Sequence, residues 1–424
     1  MKRKNENWDV IVIGGGPAGM MAAGRAGEVG KRALLLEKNE SLGKKLRITG
    51  GGRCNVTNAE FDTRTFLSNF KESDKFLHSP FSQFGVKEAL EFFHSKGMPT
   101  KIEDRKRVFP ESDSAESVWN VFIDYLKKHN VDVWLKSEVK AIHEKNGKIE
   151  SIELKNGRTV KAKSYILATG GKSRPETGST GDGFKWLKDL SHAVAEPKAS
   201  LVPLIIKEPF VKDLQGITLP EVKISVYLNG EKQQIFKKET AALKKSGRLL
   251  FTHFGVSGPL ILNIAKHIGE MLEYGEVKLK VDIVPSLPHD ALNQKLQTIF
   301  KIENKKKIKN SLNEIVPSGF IETLLKTADI NPDTENNSVT REMRVRLMDV
   351  LKAFTLTVGG LMGTDKAIVT SGGVELSEID FKTMRSKKIE NLFLIGDVLN
   401  IDRPSGGFSL QLCWTTGFIA GSNA

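Results

Sequence analysis

The residues Gly14-x-Gly16-x-x-Gly19 stand between a short apolar run, Val10 to Ile13, and a stretch whose small residues Ala22, Ala23 and Ala26 keep a helical spacing toward Val29. In a strand-turn-helix unit each glycine has its own task. The first allows the tight turn, the second lets backbone approach a pyrophosphate, and the third lets the helix pack closely on the strand. The helix N-terminus then presents N–H groups and a positive dipole end to the phosphates. A second strand-like run, "ALLLEKN", ends at Glu37, close to the position about 20 residues on where a carboxylate can hold a ribose hydroxyl pair. These elements in register predict a dinucleotide site, and the acid favours an adenosine ribose without a 2′-phosphate, as in FAD or NAD.

Three further stretches favour FAD. "SYILATGG", Ser164 to Gly171, is another short strand running into glycines, at a return of the chain to the nucleotide. "NLFLIGDV", Asn391 to Val398, ends in Gly396-Asp397, whose carboxylate can accept from a ribityl hydroxyl. In "SGGFSLQLCWTTGFIAG", Ser405 to Gly421, glycines open a helix whose first N–H groups can support negative charge at flavin N1/O2. A nicotinamide dehydrogenase needs none of these. No second Gly-x-Gly-x-x-Gly follows, so no separate nicotinamide domain is expected. Electrons then come from NADPH or NADH visiting the flavin face, from another donor, or from the substrate.

The ordered set "GGGPAG…EK", "GKKLRITGGGRCNVTN", "ATGGKS", "TGSTGDG", "LLFTHFGVSGPLIL", "VTSGGV" and "LFLIGDVLN…GGFSLQ" resembles the BaiN-like flavoproteins, also called the aminoacetone oxidase family. The resemblance covers nearly the whole chain. It implies an α/β protein: a glutathione-reductase-like FAD-binding Rossmann domain, with noncovalent FAD, carrying an inserted β-barrel plus helical domain. The cofactor-binding candidates, from the motifs and the resemblance together, are Gly14, Gly16, Pro17, Ala18, Gly19, Glu37, Lys38, Lys45, Gly51, Gly52, Arg53, Cys54, Asn55, Val139, Thr169, Gly170, Gly171, Gly396, Asp397, Gly407, Phe408, Ser409 and Leu410. The family pattern has Gly-Glu, then Leu-Asp, then Gly-Gly-Tyr-Asn near the C-terminus. Here Asp397, Asn400 and Ser409 depart from it, which alters the fine flavin contacts but not the cofactor.

The resemblance also sets the loop of Cys54 against the isoalloxazine ring. A thiol there can deliver a proton opposite a hydride from flavin N5, or form a flavin adduct, with Arg53 lowering its pKa; the alternative is a small buried packing residue. His253, in "FTHFGVSG", is the second catalytic candidate, as acid/base or anion binder, against a structural histidine bonded to backbone. Cys413 reads as core. Lys44, Lys45 and Arg47 can neutralise a pyrophosphate or simply be solvated, and Asp182 reads as a helix cap.

The elements that position these residues need a sizeable chain. At 424 residues, 39% hydrophobic and 27% charged, there is room for two or three domains. The expected division is 1–193 and 345–424 for the FAD domain and 194–344 for the insert, with a small-molecule substrate held between them. Two cysteines without CxxC spacing exclude a disulfide scaffold, and the histidines lack metal-ligand spacing, so no metal is expected. A cytoplasmic location is the default; no apolar run is long enough for a signal peptide or a membrane span. The excess of 64 Lys+Arg over 51 Asp+Glu, a net +13, fits either an anionic partner such as RNA or dispersed solvated lysines. Its short clusters are Lys237 to Arg248, Lys301 to Asn310 and Asp104 to Pro110. The expected reaction is hydride exchange with an activated C=C. The alternatives are reduction of uracil C5=C6 in ribosomal RNA, oxidation of a small amine by O2, and a non-catalytic flavin-binding protein.

Overall fold

The computed structural model describes residues 7–233, 246–363, 365, 367 and 369–424. The chain forms two compact units: one runs to Ser200 and resumes after Gly363, and the other spans Leu201–Gly363.

The first unit begins with β1 (Asn7–Ile13), α1 (Pro17–Glu28) and β2 (Ala33–Leu36). It continues through α2 (Ala115–Lys128), β3 (Asp132–Trp134) and β4 (Thr159–Leu167). Val10, Ile11, Val12, Leu34 and Leu35 are wholly buried, the mark of strands covered on both faces of a parallel sheet. The strands pair in parallel in the order β4-β1-β2-β3. A fifth strand, β5 (Val194–Ser200), leads out of this unit.

The second unit is a barrel with helices. Its strands are β6 (Leu204–Ile206), β7 (Thr218–Leu228), β8 (Ser246–Thr252), β9 (Gly255–Ser257), β10 (Val277–Asp282) and β11 (Phe354–Leu361). All neighbours are antiparallel, and the ring β7-β8-β9-β6-β11-β10 closes because β10 pairs again with β7. Closure leaves these six strands without a free edge. The helices α3 (Pro259–Leu272), α4 (His289–Ile302), α5 (Ser318–Thr327) and α6 (Arg341–Ala353) accompany it, each with an apolar buried stripe.

The chain then re-enters the first unit with β12 (Val369–Val374), which pairs with β5, and β13 (Leu392–Leu394), which extends the parallel sheet beside β4. It ends in α7 (Phe408–Asn423). The expected domain boundaries are therefore corrected at both ends. Residues 194–200 belong to the first unit, because β5 pairs with β12; 345–363 belong to the second, because α6 leads into β11 and β11 completes the barrel. No described helix is long and apolar enough to cross a membrane.

Two features of the first unit prepare its site. Ile13 lies level with Leu36 on one side and Leu167 on the other, and Leu167 with Leu394. Gly14, Glu37, Ala168 and Ile395 consequently all leave the sheet at the same end. Helices α1 and α7 also meet almost backbone to backbone. A Cβ added to Gly417 would sit 2.6 Å from the Ala18 carbonyl oxygen, and one added to Gly421 2.4 Å from that of Ala22. Gly417→Val must push the helices apart, and overpacking of this kind costs about 1–3 kcal/mol. A loss of unfolding free energy of that size is expected, read as a fall in the denaturant midpoint. An unchanged midpoint would show that the helices do not meet at this seam.

Candidate functional site

A cleft opens at the carboxyl end of the parallel sheet, with about 1210 Å³ of empty space including its mouth. The crevice outside the carboxyl ends of parallel strands is where doubly wound sheets hold ligands. Its wall contains Gly14, Gly16, Pro17, Ala18, Glu37, Lys38, Lys45, Val139, Thr169, Gly170, Gly396, Asp397, Ser409 and Leu410. Residues far apart in sequence meet here because β1, β2, β4 and β13 end level.

Each wall element has a local reason. A Cβ on Gly19 would stand 1.8 Å from the Gly14 carbonyl oxygen, so the third glycine lets α1 press against the turn. Gly16 differs: a Cβ there would meet nothing within 4 Å. The packing of the protein does not require this glycine, while a group lying over the helix end would. Neither α1 nor α7 has a side-chain N-cap or an acid in its first turn, so the first N–H groups of both helices are left without a side-chain acceptor from the cap position. Thr169 Oγ1 is buried without a hydrogen-bond partner. These observations fit a phosphate-bearing dinucleotide.

The polar groups are held in place. Glu37 Oε2 accepts from the Gly15 N–H at 2.8 Å, and Oε1 accepts from the N–H and the side-chain amide of Asn39, both at 2.7 Å. Lys38 Nζ donates to Thr180 Oγ1 at 2.6 Å and to Asp182 at 2.8 Å. Burial alone would raise the Asp182 pKa, but the hydrogen bonds from Lys38 and Thr180 outweigh it and hold it below its ordinary value. Asp182 is thus an ion-pair partner of Lys38, not the helix cap expected; the cap position is Gly181. Lys45 Nζ donates to Ser173 Oγ at 2.7 Å and lies 3.8 Å from Asp397. Burial pushes its pKa down, against the pull of Asp397. Of the other two cations expected at a pyrophosphate, Lys44 lines the cleft and Arg47 turns away to pair with Glu116 at 2.7 Å.

Sequence reasoning missed Arg403. Its side chain is 0% exposed, and it donates to the Ile401 carbonyl at 2.7 Å, to Ser409 Oγ at 3.0 Å and to the Asp397 carboxylate. Two of the three departures from the family pattern, Asp397 and Ser409, are therefore joined by one guanidinium. Those departures, flanking an arginine in an apolar and glycine-rich segment, were the available signal. Cys413 is buried in the core of the first unit, as expected, and also borders the cleft.

The remaining candidates lie off that wall. Cys54 is wholly buried in the core of the first unit, and burial pushes its thiol up to about 12, with only a partial offset from the Thr49 hydrogen bond. Arg53 does not lower it. Arg53 pairs with Glu103 and Asp113 and lies over the Phe109 ring at 4.2 Å. The packing reading of Cys54 fits this geometry, and the expected lowering of its pKa by Arg53 is absent. Asn55 accepts from the Val108 N–H at 3.2 Å, while Gly51 and Gly52 continue the same loop with positive φ. Gly171 is pressed against Thr370, and Phe408 packs on Phe66 with ring centroids 4.8 Å apart. Gly407, at φ +102°, allows an approach to the Thr57 backbone that a Cβ would block at 2.3 Å. His253 is exposed on the turn between β8 and β9 of the second unit, its ring against Phe254 at 4.9 Å, and is not part of the cleft wall.

The fold and this cleft define a Rossmann-type dinucleotide protein with a barrel insert. Residues 8–423 match the HI0933-like protein Rossmann domain, and the chain belongs to that family of FAD-dependent oxidoreductases. It is 30% identical over 417 residues to a 3-dehydro-bile acid delta(4,6)-reductase of Clostridium scindens, covering 97% of this chain and 98% of that one. It is 28% identical over 417 residues to a ribosomal RNA dihydrouridine synthase of Escherichia coli, covering 97% of each. A 3-ketosteroid delta1-dehydrogenase from Sterolibacterium denitrificans shares the fold, with a TM-score of 0.53 at 14% identity over 98% of this chain and 99% of that one.

Burial of the two thiols has a measurable consequence. Cys54 and Cys413 both have pKa values pushed up to about 12 from 9.0, burial being the main cause. Above pH 9 the unfolded chain releases thiol protons that the folded protein retains, so stability falls as pH rises from 9 toward 12. The slope approaches about 1.4 kcal/mol per pH unit for each thiol. Denaturant midpoints at alkaline pH are expected to fall less steeply in Cys54→Ala than in the wild type. Equal slopes would place that thiol in water.

Proposed function

We propose that the cleft of the first unit binds FAD and that the chain reduces an activated C=C bond in a small molecule. The observation that carries the binding mode is the level ending of β1, β2, β4 and β13, which gathers Gly16, Glu37, Thr169 and Asp397 into one cleft beside the N-terminus of α1. Glu37, oriented by Gly15 and Asn39, is the acceptor for the adenosine ribose hydroxyls. The α1 N-terminus at Gly16 receives the pyrophosphate, and Asp397 accepts from the ribityl chain. When bound, FAD supplies hydride exchange at its N5.

The substrate class rests on the relatives. The name of the Clostridium scindens protein describes reduction of a conjugated steroid, and its identity to this chain extends over nearly the full length of both. NADPH or NADH is the proposed donor, taken up at the flavin face since the chain has no second nucleotide motif. Two buried unpaired cysteines accord with a reducing cytoplasm.

A second reading, reduction of a uracil in ribosomal RNA, is favoured by the similarity to the Escherichia coli protein and by the net charge of +13. Surface geometry weighs against it. Lys306 pairs with Glu303 at 2.6 Å, Lys307 and Lys309 both pair with Asp333 at 2.9 Å, and Lys106 pairs with Glu60. Two of the basic clusters are thus partly neutralised by their own acids; in the third, residues 237–245 lie outside the described residues.

An anaerobic titration separates the readings. The flavin band at about 450 nm is expected to bleach on addition of NADPH or NADH and to return on addition of a conjugated enone. Return with a ribosomal RNA transcript and not with any enone would move the function to the base of an RNA. A band that no nicotinamide bleaches would remove the proposed donor.

A further inference from the structure

Arg403 places a cation with no exposed side-chain surface directly behind the cleft wall, bonded to the wall residues Asp397 and Ser409. Asp397 is the carboxylate that answers it, and that single carboxylate is shared: Arg403 holds one oxygen while Lys45 Nζ lies 3.8 Å from the other. The Nε of Arg403 also donates to Ser409, in the first turn of α7, where the helix has neither an acid nor a side-chain cap. Two cations and a helix N-terminus therefore face one acid in a buried setting, where charge interactions are far less screened than in water.

We propose that Arg403 makes this end of the cleft electropositive and so favours the reduced form of the bound cofactor. The inference rests on the FAD reading above. With Glu37 at the adenosine end and the α1 N-terminus at the pyrophosphate, Asp397 and Ser409 lie toward the isoalloxazine. Two-electron reduction with uptake of one proton leaves one negative charge at the N1/C2 carbonyl side of the ring. A fixed positive charge behind the wall stabilises that charge without taking part in the hydride step. Arg403 is on this view a positioning and charge-setting residue. Its bonds to Ile401 and Ser409 alone would shape the turn but leave the potential unmoved.

The test is the midpoint potential of FAD in the full-length protein, measured by equilibration with a reference dye. Arg403→Gln is expected to shift it to more negative values by about tenfold in the reduction equilibrium, near 30 mV for a two-electron couple. Asp397→Asn, which leaves the cations uncompensated, is expected to shift it the other way. Arg403→Lys, which keeps the charge and loses the fork of hydrogen bonds, should stay within a few-fold of the wild type. Should Arg403→Gln fail to fold, the positive shift in Asp397→Asn decides. Potentials unchanged in Arg403→Gln or in Asp397→Asn overturn the role of Arg403 and leave the FAD reading standing. A wild-type protein that takes up no FAD overturns both.

Discussion

The first unit depends on the contact between α1 and α7. Ala18 faces Gly417 and Ala22 faces Gly421, so the two helices run parallel with their backbones nearly touching. From the Gly417 pairing, α7 begins eight residues further toward its N-terminus than α1 does. At 1.5 Å per residue that sets its positive end about 12 Å beyond that of α1. Two helix dipoles pointing the same way repel at close range. Anionic groups at their N-terminal ends offset this repulsion, so the seam that stabilises the fold also sets two positive helix ends at the cleft where an anionic ligand is favoured. Small residues at the seam and the uncapped helix ends are in this sense one constraint.

A buried polar network fixes α7 on its other side. Thr57 Oγ1 donates to Gln411 Oε1 at 2.6 Å, Gln411 Nε2 donates to the Gly85 carbonyl at 3.0 Å, and Trp414 Nε1 donates to the Val56 carbonyl at 2.9 Å. Such groups are costly when unpaired and specify one arrangement when fully paired. They tie the helix to the segment that follows Cys54. The glycine-rich "GGGRCN" loop accordingly belongs to the packing of this unit, its thiol inside the core and its guanidinium turned outward to two carboxylates.

Much of this was legible in the sequence where local pattern and tertiary demand coincide. The β1-α1-β2 unit announces itself through apolar runs, glycine spacing and Glu37, because a strand, a turn and a helix are neighbours along the chain. The ends of the insert were not legible. Phe354–Leu361 becomes a barrel strand by pairing with residues 204–206 and 278–281, and no local pattern records a partner so distant. Cys54 and Cys413 illustrate the same limit at single residues. Both prove to be core, but Cys54 sits in a motif away from the cleft and Cys413 in an apolar helix that borders it, since side-chain direction is set by which helix packs on which. Arg403 was overlooked because an arginine after an aspartate reads as surface until the fold buries it against Asp397.

The most direct measurement is the dissociation constant for FAD of the apoprotein carrying Gly16→Val, set beside its thermal midpoint. A Cβ at Gly16 meets no protein atom within 4 Å, so the apoprotein should melt close to the wild type. Its affinity for FAD should nonetheless fall by tenfold or more, about 1.4 kcal/mol or more of lost binding, because the new side chain occupies the space over the α1 N-terminus. Unchanged affinity in a protein of unchanged stability would contradict the assignment of the pyrophosphate to that helix end, and with it the reading of the cleft.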